Sequence, residues 1–291
     1  MDVISRREHR RSRRLLRQMD RAAGRRRRAR ARLVLSGLVT VVVVVLAAAH
    51  LTGTDLVDLI RPRAYVEVDG RAVAVPRPVP AEGRLLPEVA VTTEGSHAFL
   101  HVDDEGEPVG YDPCRPVEYV VRTDGAPRSG PALIEEAVSV LSLASGLEIV
   151  DAGTTDEAPV MDRPLIQPER YGEAWAPVLI AWSDDSELPE LEGQVAGVGG
   201  SAAVPGVDGS GRWLAAGRVA LDGPDIEGLL ARTGGHAEAR AIVVHELAHV
   251  LGLDHVDDPT ELMHPITSAR TDLGPGDLQG LALLGQVECQ P

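Results

Sequence analysis

The sequence predicts an α+β domain in its C-terminal part: a twisted, mostly parallel five-stranded sheet with an antiparallel edge strand and helices packed on it. Three observations carry that expectation. From about Asp112 onward, short β-branched runs alternate with a few helical stretches. One run, Val178-Leu179-Ile180-Ala181-Trp182, is apolar throughout and stops at Ser-Asp-Asp, as a buried strand ending in a loop does. A Gly-rich stretch over 193–211 contains Val195 to Val204, which reads as an edge strand.

The elements follow in order. Val117-Glu118-Tyr119-Val120-Val121 reads as the first strand. Pro131 to Ala144 reads as a helix, with Pro131 in its first turn and Gly146 past its end. Leu147 to Val150, Val178 to Trp182, the edge segment Val195 to Val204, and Arg218-Val219-Ala220-Leu221-Asp222 supply the other strands. A helix runs from about His236 to Leu251. A last helix spans Pro275 to Leu284, where Gly276-Asp277 leads into Leu278, Leu281 and Leu284.

The helix before Leu251 carries the most specific signal. His245-Glu246-Leu247-Ala248-His249-Val250-Leu251-Gly252-Leu253-Asp254-His255 has three imidazoles and a carboxylate at metal-site spacing. Positions i and i+4 share a helix face about 6 Å apart, so His245 and His249 can hold one ion from one side. Glu246, one residue on, flanks that ion without competing for the same position. Gly252 can take the left-handed conformation that ends a helix, and the turn brings His255 back as a third ligand. Three protein ligands leave a tetrahedral zinc one open position. On the opposite face Ala241, Val244, Ala248 and Leu251 form an apolar stripe for a core.

Charge divides the chain. Fourteen arginines against Asp2, Glu8 and Asp20 give residues 1–32 a net charge of +11. Residues 33–50 carry none. The remaining 15 arginines and 41 acids give the body −26, which excludes nucleic acid as its partner. The chain has no lysine, and aromatics make up only 3%, so aliphatic side chains must build its core.

The apolar run Leu33 to Ala49, with five consecutive valines from Val41 to Val45, follows the basic tail directly. Two readings fit it. Residues 33–51 form a transmembrane anchor, with 1–32 in the cytoplasm by the positive-inside rule. Alternatively the run is a signal sequence cleaved near Ala47-Ala48-Ala49. Both export the body and bring the chain to the cell membrane; the second makes it a secreted protein. The sequence carries no signal for an oligomeric state.

Residues 52–111 read as a stalk, linker or small β region, broken by Pro76, Pro78, Pro80 and Pro87. Tyr65 to Val75 alternates around Asp69-Gly70 as a hairpin does. His97 and His101 lie four apart on a segment that reads as a strand. There their rings stand about 13 Å apart, too far for one metal.

The extended motif, with His255 as third ligand, resembles the metzincin zinc proteases, and Leu262-Met263-His264-Pro265 matches their Met-turn. His249 to His255 is most similar to the matrixin branch. The resemblance covers about 112–291 and implies a zincin-like fold and a zinc-dependent endopeptidase. On that resemblance His245, His249 and His255 bind one catalytic Zn2+. Glu246 activates the zinc-bound water and passes its proton to the leaving amine. Met263 forms a floor under the metal, Gly252 makes the turn, and Pro265 with His264 lines the main specificity pocket. The substrate is a peptide or protein, added as a strand beside Val195 to Val204.

Two departures stand out. Matrixins usually have tyrosine where this chain has His264. They also carry a second, structural zinc, whereas no histidine occurs between His101 and His236, so that zinc is expected to be absent. Asp208 and Asp222 are candidates for a Ca2+ site, although acidic loops are commonly just solvated.

Cys114 and Cys289, the only cysteines, bracket the expected domain. In an exported protein they read as a disulfide, whose long loop contributes roughly 5 kcal/mol on the chain-entropy model. The rival reading is a switch in which Cys114 blocks the metal, although Asp112-Pro113-Cys114-Arg115-Pro116 lacks the family's switch motif. A secreted soluble form of the same protease, and a zinc-stabilised surface binding module without turnover, are the alternative functions.

Overall fold

A computed structural model describes residues 35–48, 63–68, 70–79, 81–266 and 270–290. The chain divides into two compact units, Met1–Pro62 and Arg63–Pro291. In the first, helix α1 (residues 35–48) has exposed side chains. Its described part spans about 21 Å. Among the described residues no helix is long and apolar enough to cross a membrane. The rest of the expected anchor (33, 34 and 49–51) and the basic tail lie outside the described residues.

The second unit opens with an antiparallel hairpin, β1 (Tyr65–Val68) and β2 (Arg71–Ala74), with Gly70 at φ +72° in its turn. The main sheet follows: β3 (Val117–Arg122), β4 (Ile149–Thr154), β5 (Val178–Ser183), β6 (Gly197–Pro205) and β7 (Arg212–Asp222). Its spatial order is β4-β3-β5-β7-β6, with every pair parallel except β6, which runs antiparallel on the edge. The helices are α2 (Gly130–Ser145), the short α3 (Pro168–Tyr171), α4 (Gly223–Leu230), α5 (Gly235–Leu251) and α6 (Pro275–Leu284). This is the α+β architecture that the sequence predicts.

Strand alternation sorts the core. Val117 and Tyr119, Val178, Ile180 and Trp182, and Val219 and Leu221 face α2, α5 and α6 in one large cluster. Val120, Leu179 and Ala181 point the other way and are covered by Tyr171. The all-apolar β5 is thus buried on both faces. In α5 the stripe Ala241, Val244, Ala248 and Leu251 is buried, but so are Ala239, Val243, Leu247 and Val250. The helix lies between α2 and β6, so a one-sided stripe understates its burial.

Three local readings are corrected. The second strand begins at Ile149 rather than Leu147. Ser142 Oγ donates to Leu147 O and Leu147 N donates to Ser145 Oγ, so the helix end takes up the groups a strand would use. Residues 97–102 form no regular strand, only single bridges from Phe99 to Leu253 and from Val102 to Pro108. The expected fifth strand is the C-terminal half of the eleven-residue β7. The unit also reaches upstream of Asp112, since Val75, Val109 and Tyr111 are buried core residues.

The second sheet face is pinned by a buried ion pair. Arg163 grips Glu157 with two bonds of 2.7 and 2.9 Å, and its third nitrogen donates to Pro177 O and Gly217 O. Burial pushes the Glu157 carboxyl up, but hydrogen bonds from Arg163, Gln167 and Tyr171 outweigh it and hold the group below the usual glutamate range. A folded-state value below the unfolded one stabilises at neutral pH, and that gain is lost as pH falls through the folded value. Glu157→Gln is therefore expected to cost about 3–5 kcal/mol near pH 7. The gap from the parent should begin to narrow below about pH 4, near the unfolded glutamate value, and close only below the depressed folded one. Thermal melts across pH 3–7 check both points.

Cys114 and Cys289 form a disulfide, with Cα atoms 5.6 Å apart, joining the approach to β3 to the C-terminal tail. The tail is held further by Arg84 Nη1 to Gly285 O, Gln286 Nε2 to Val89 O and Trp213 Nε1 to Glu288 O.

Candidate metal centre

Helix α5 ends where Gly252 takes φ +118°, its amide donating to Ala248 O and His249 O. A Cβ there would meet Leu284 Cδ2 at 2.9 Å, so glycine serves both the turn and the close packing. The chain doubles back and brings His255 to the two helix imidazoles. Nε2 of His255 lies 3.1 Å from Nε2 of His245 and 3.1 Å from Nε2 of His249. Zinc–nitrogen bonds of about 2.0–2.1 Å at tetrahedral angles space such nitrogens about 3.3 Å apart, so the donor set fits zinc.

The opposite ring nitrogens fix the rings. His245 Nδ1 donates to Leu262 O at 2.8 Å, and His249 Nδ1 donates to Leu253 O at 2.7 Å. A carbonyl only accepts, so Nδ1 holds the proton in each ring and Nε2 presents its lone pair inward. Burial pushes His245 down to about 4, with His249 and His255 adding to the shift. His249 and His255 are lowered too, chiefly by burial. All three rings are therefore neutral near pH 7, the form that binds a metal.

Glu246 stands outside this ligand group. It is buried, and burial alone pushes its carboxyl up to about 7. The edge strand passes very close to it. A Cβ on Gly197 would lie 2.6 Å from Glu246 Cγ, and one on Gly199 would lie 2.4 Å from Glu246 O.

Leu262 and Met263 are buried, and Met263 O accepts from Val256 N at 3.1 Å. Sequence reasoning missed what holds this turn. Asp277 on α6, 1% exposed, accepts from Leu262 N at 2.6 Å, Met263 N at 3.3 Å and Gly274 N at 2.7 Å. Glu261, equally buried, accepts from Gly276 N and Asp277 N. The Leu262 peptide thus links Asp277 to the His245 ring. The readable signal was an acid in the first turn of a helix, the usual position of a capping carboxylate. Asp254 caps locally, accepting from His255 N at 2.7 Å.

His264 is half-buried, with Nδ1 3.1 Å from Ile266 O, while Pro265 and Ile266 are exposed. His97 Nδ1 pairs with Gly95 O and His101 Nε2 donates to Ser201 O, apart from the triad. Cys114 is bonded to Cys289 and does not lie at the metal centre, which removes the switch reading. Asp222 serves as N-cap of α4, accepting from Asp225 N, and Asp208 accepts from Ser210. Neither falls in a metal-competent group among the described residues.

Residues 190–284, about a third of the chain, match the family model described as Matrixin, peptidase M10. The resemblance expected from about Asp112 is thus carried, at sequence level, from residue 190 on. No curated protein matches the chain. Among solved structures it is similar to archaemetzincin from Methanopyrus kandleri, at 16% identity and a TM-score of 0.37, over 57% of this chain and 93% of that one. The matrixin match spans the edge strand, the three histidines and the Met-turn, so this region resembles a metzincin-like zinc metalloprotease domain.

Proposed function

We propose that the protein is an endopeptidase acting outside the cytoplasmic membrane, with His245, His249 and His255 as zinc ligands and Glu246 as general base and acid. The observation that carries this reading is the inward convergence of three Nε2 atoms beside a carboxylate that, among the described residues, has no hydrogen-bond or ionic partner. Zinc, when bound, polarises the scissile carbonyl and makes water more acidic. Glu246 takes the proton from the attacking water and delivers it to the departing amine nitrogen, and its burial sharpens both transfers. An extended peptide would pair with the open edge of β6, where Gly197, Gly199 and Gly200 present main chain without side chains. Met263 would serve as the floor, and His264 and Pro265 as the rim of the specificity pocket.

The export reading is supported by the Arg-rich tail, the apolar run around α1 and the disulfide. On it residues 1–32 lie in the cytoplasm and 33–51 anchor the chain. A mature N-terminus at His50, read by mass spectrometry, would instead establish the secreted form. The unpartnered Glu246 favours turnover over a zinc-stabilised binding module.

Digestion of a peptide library by the purified protein, with and without a chelator, tests the whole reading. Chelator-sensitive cleavage is expected, and intact peptides would overturn it. Gly197→Ala is expected to keep one zinc per chain while lowering kcat/KM roughly 100-fold, because its Cβ displaces the Glu246 side chain. Zinc content measured alongside rate checks that split.

A further inference from the structure

The segment upstream of the expected domain reaches into the metal centre. Residues 98–100 pair antiparallel with 252–254. Leu100 N donates to Gly252 O at 2.9 Å, and Asp254 N donates to Ala98 O at 2.8 Å, around the Phe99–Leu253 bridge. The clamped residues sit between two ligands. Leu253 O is the acceptor that orients the His249 ring, and Asp254 immediately precedes His255. The segment is itself fastened on both sides. Gly95 N donates to Gln279 Oε1, Ser96 Oγ donates to Asp258 Oδ2, and His101 Nε2 donates to Ser201 O. A Cβ on Gly276 would meet Ser96 O at 2.0 Å, so segment and α6 are in backbone contact.

We propose that residues 95–101 form a strap that positions His249 and His255 for the metal. Phe99 and Leu100 are then positioning residues, acting through the Leu253 and Asp254 peptides. The physical case is the loop's composition. Between Gly252 and His255 the chain has left α5, and the turn needs an external partner to hold one geometry. Two backbone bonds and a buried Leu253 supply it. This inference rests on the three-histidine zinc site proposed above and places part of the metal-binding apparatus about 150 residues upstream of the ligands.

The test uses the full chain. Zinc stoichiometry and affinity of the parent come first; no zinc binding there would sink the zinc site itself. Leu100→Pro removes the N–H donor, whereas Leu100→Ala keeps it and alters only a partly exposed side chain. Leu100→Pro is expected to bind zinc 10–100-fold more weakly, and Leu100→Ala to match the parent. The cobalt-substituted Leu100→Pro protein should show a changed visible spectrum, a readout that loss of stability alone would not move. In a cycle with His255→Ala, the proline should add little further loss of affinity. Fully additive losses, or unchanged affinity and spectrum in Leu100→Pro, would overturn the strap. Amide exchange on the unmodified chain is independent of any variant's folding. Zinc loading should slow exchange at Leu100 and Asp254, and equal rates with and without metal would also overturn it.

Discussion

Replacing Glu246 by alanine is expected to leave one zinc per chain and to lower kcat/KM by about 10²–10⁴-fold. The expectation comes from geometry before pKa. Glu246 lies outside the group of convergent donor atoms, so its loss removes no ligand. It is buried against the glycines of β6, where water cannot easily stand in as base. Replacing His249 should do the opposite and empty the site, visible as a fall in zinc per chain. Residual turnover in Glu246→Ala within a few-fold of the parent would end the mechanism while leaving the metal site intact.

Asp277→Ala should damage the fold and the metal centre together. It strips the partner from three amides, those of Leu262, Met263 and Gly274. Each buried unsatisfied group costs about 1–3 kcal/mol, so the total is roughly 3 kcal/mol or more. For a domain of this size that corresponds to a midpoint lower by roughly 6–12 °C. The loss should also reach the metal, because the Leu262 peptide that Asp277 holds is the one whose carbonyl orients His245. The gap between zinc-loaded and metal-free melting midpoints should therefore narrow in Asp277→Ala. Asp277→Asn, which keeps one acceptor oxygen, should recover part of it. An unchanged gap would mean that Asp277 supports the fold without supporting the metal.

Local physics made much of this legible. A ligand pair four apart on a helix, a glycine that ends it, and Pro131 and Gly146 around α2 all act within one or two turns of chain, and the sequence displays such spacings directly. Helix α4 escaped notice because Gly223-Pro224 reads as a loop, although Asp222 is an N-cap with proline in the first turn behind it. The apolar side chain of Leu147 reads as strand, but its backbone groups are held by Ser142 and Ser145 at the end of α2. The parts that organise the metal centre were hidden for another reason. Asp277 acts on Leu262 and Leu100 acts on Gly252, across 15 and 152 residues, and no periodicity encodes a partner at that distance.

The glycines of β6 carry one last consequence. At Gly197, Gly199 and Gly200 the strand would meet an incoming peptide with main-chain groups alone, and all amino acids but proline offer the same main-chain groups in return. Such an edge grips without reading. On the proposed function, discrimination then falls to the rim around His264 and Pro265, so a cleavage profile should be sharp at a single residue beside the cut and nearly flat along the rest of the peptide.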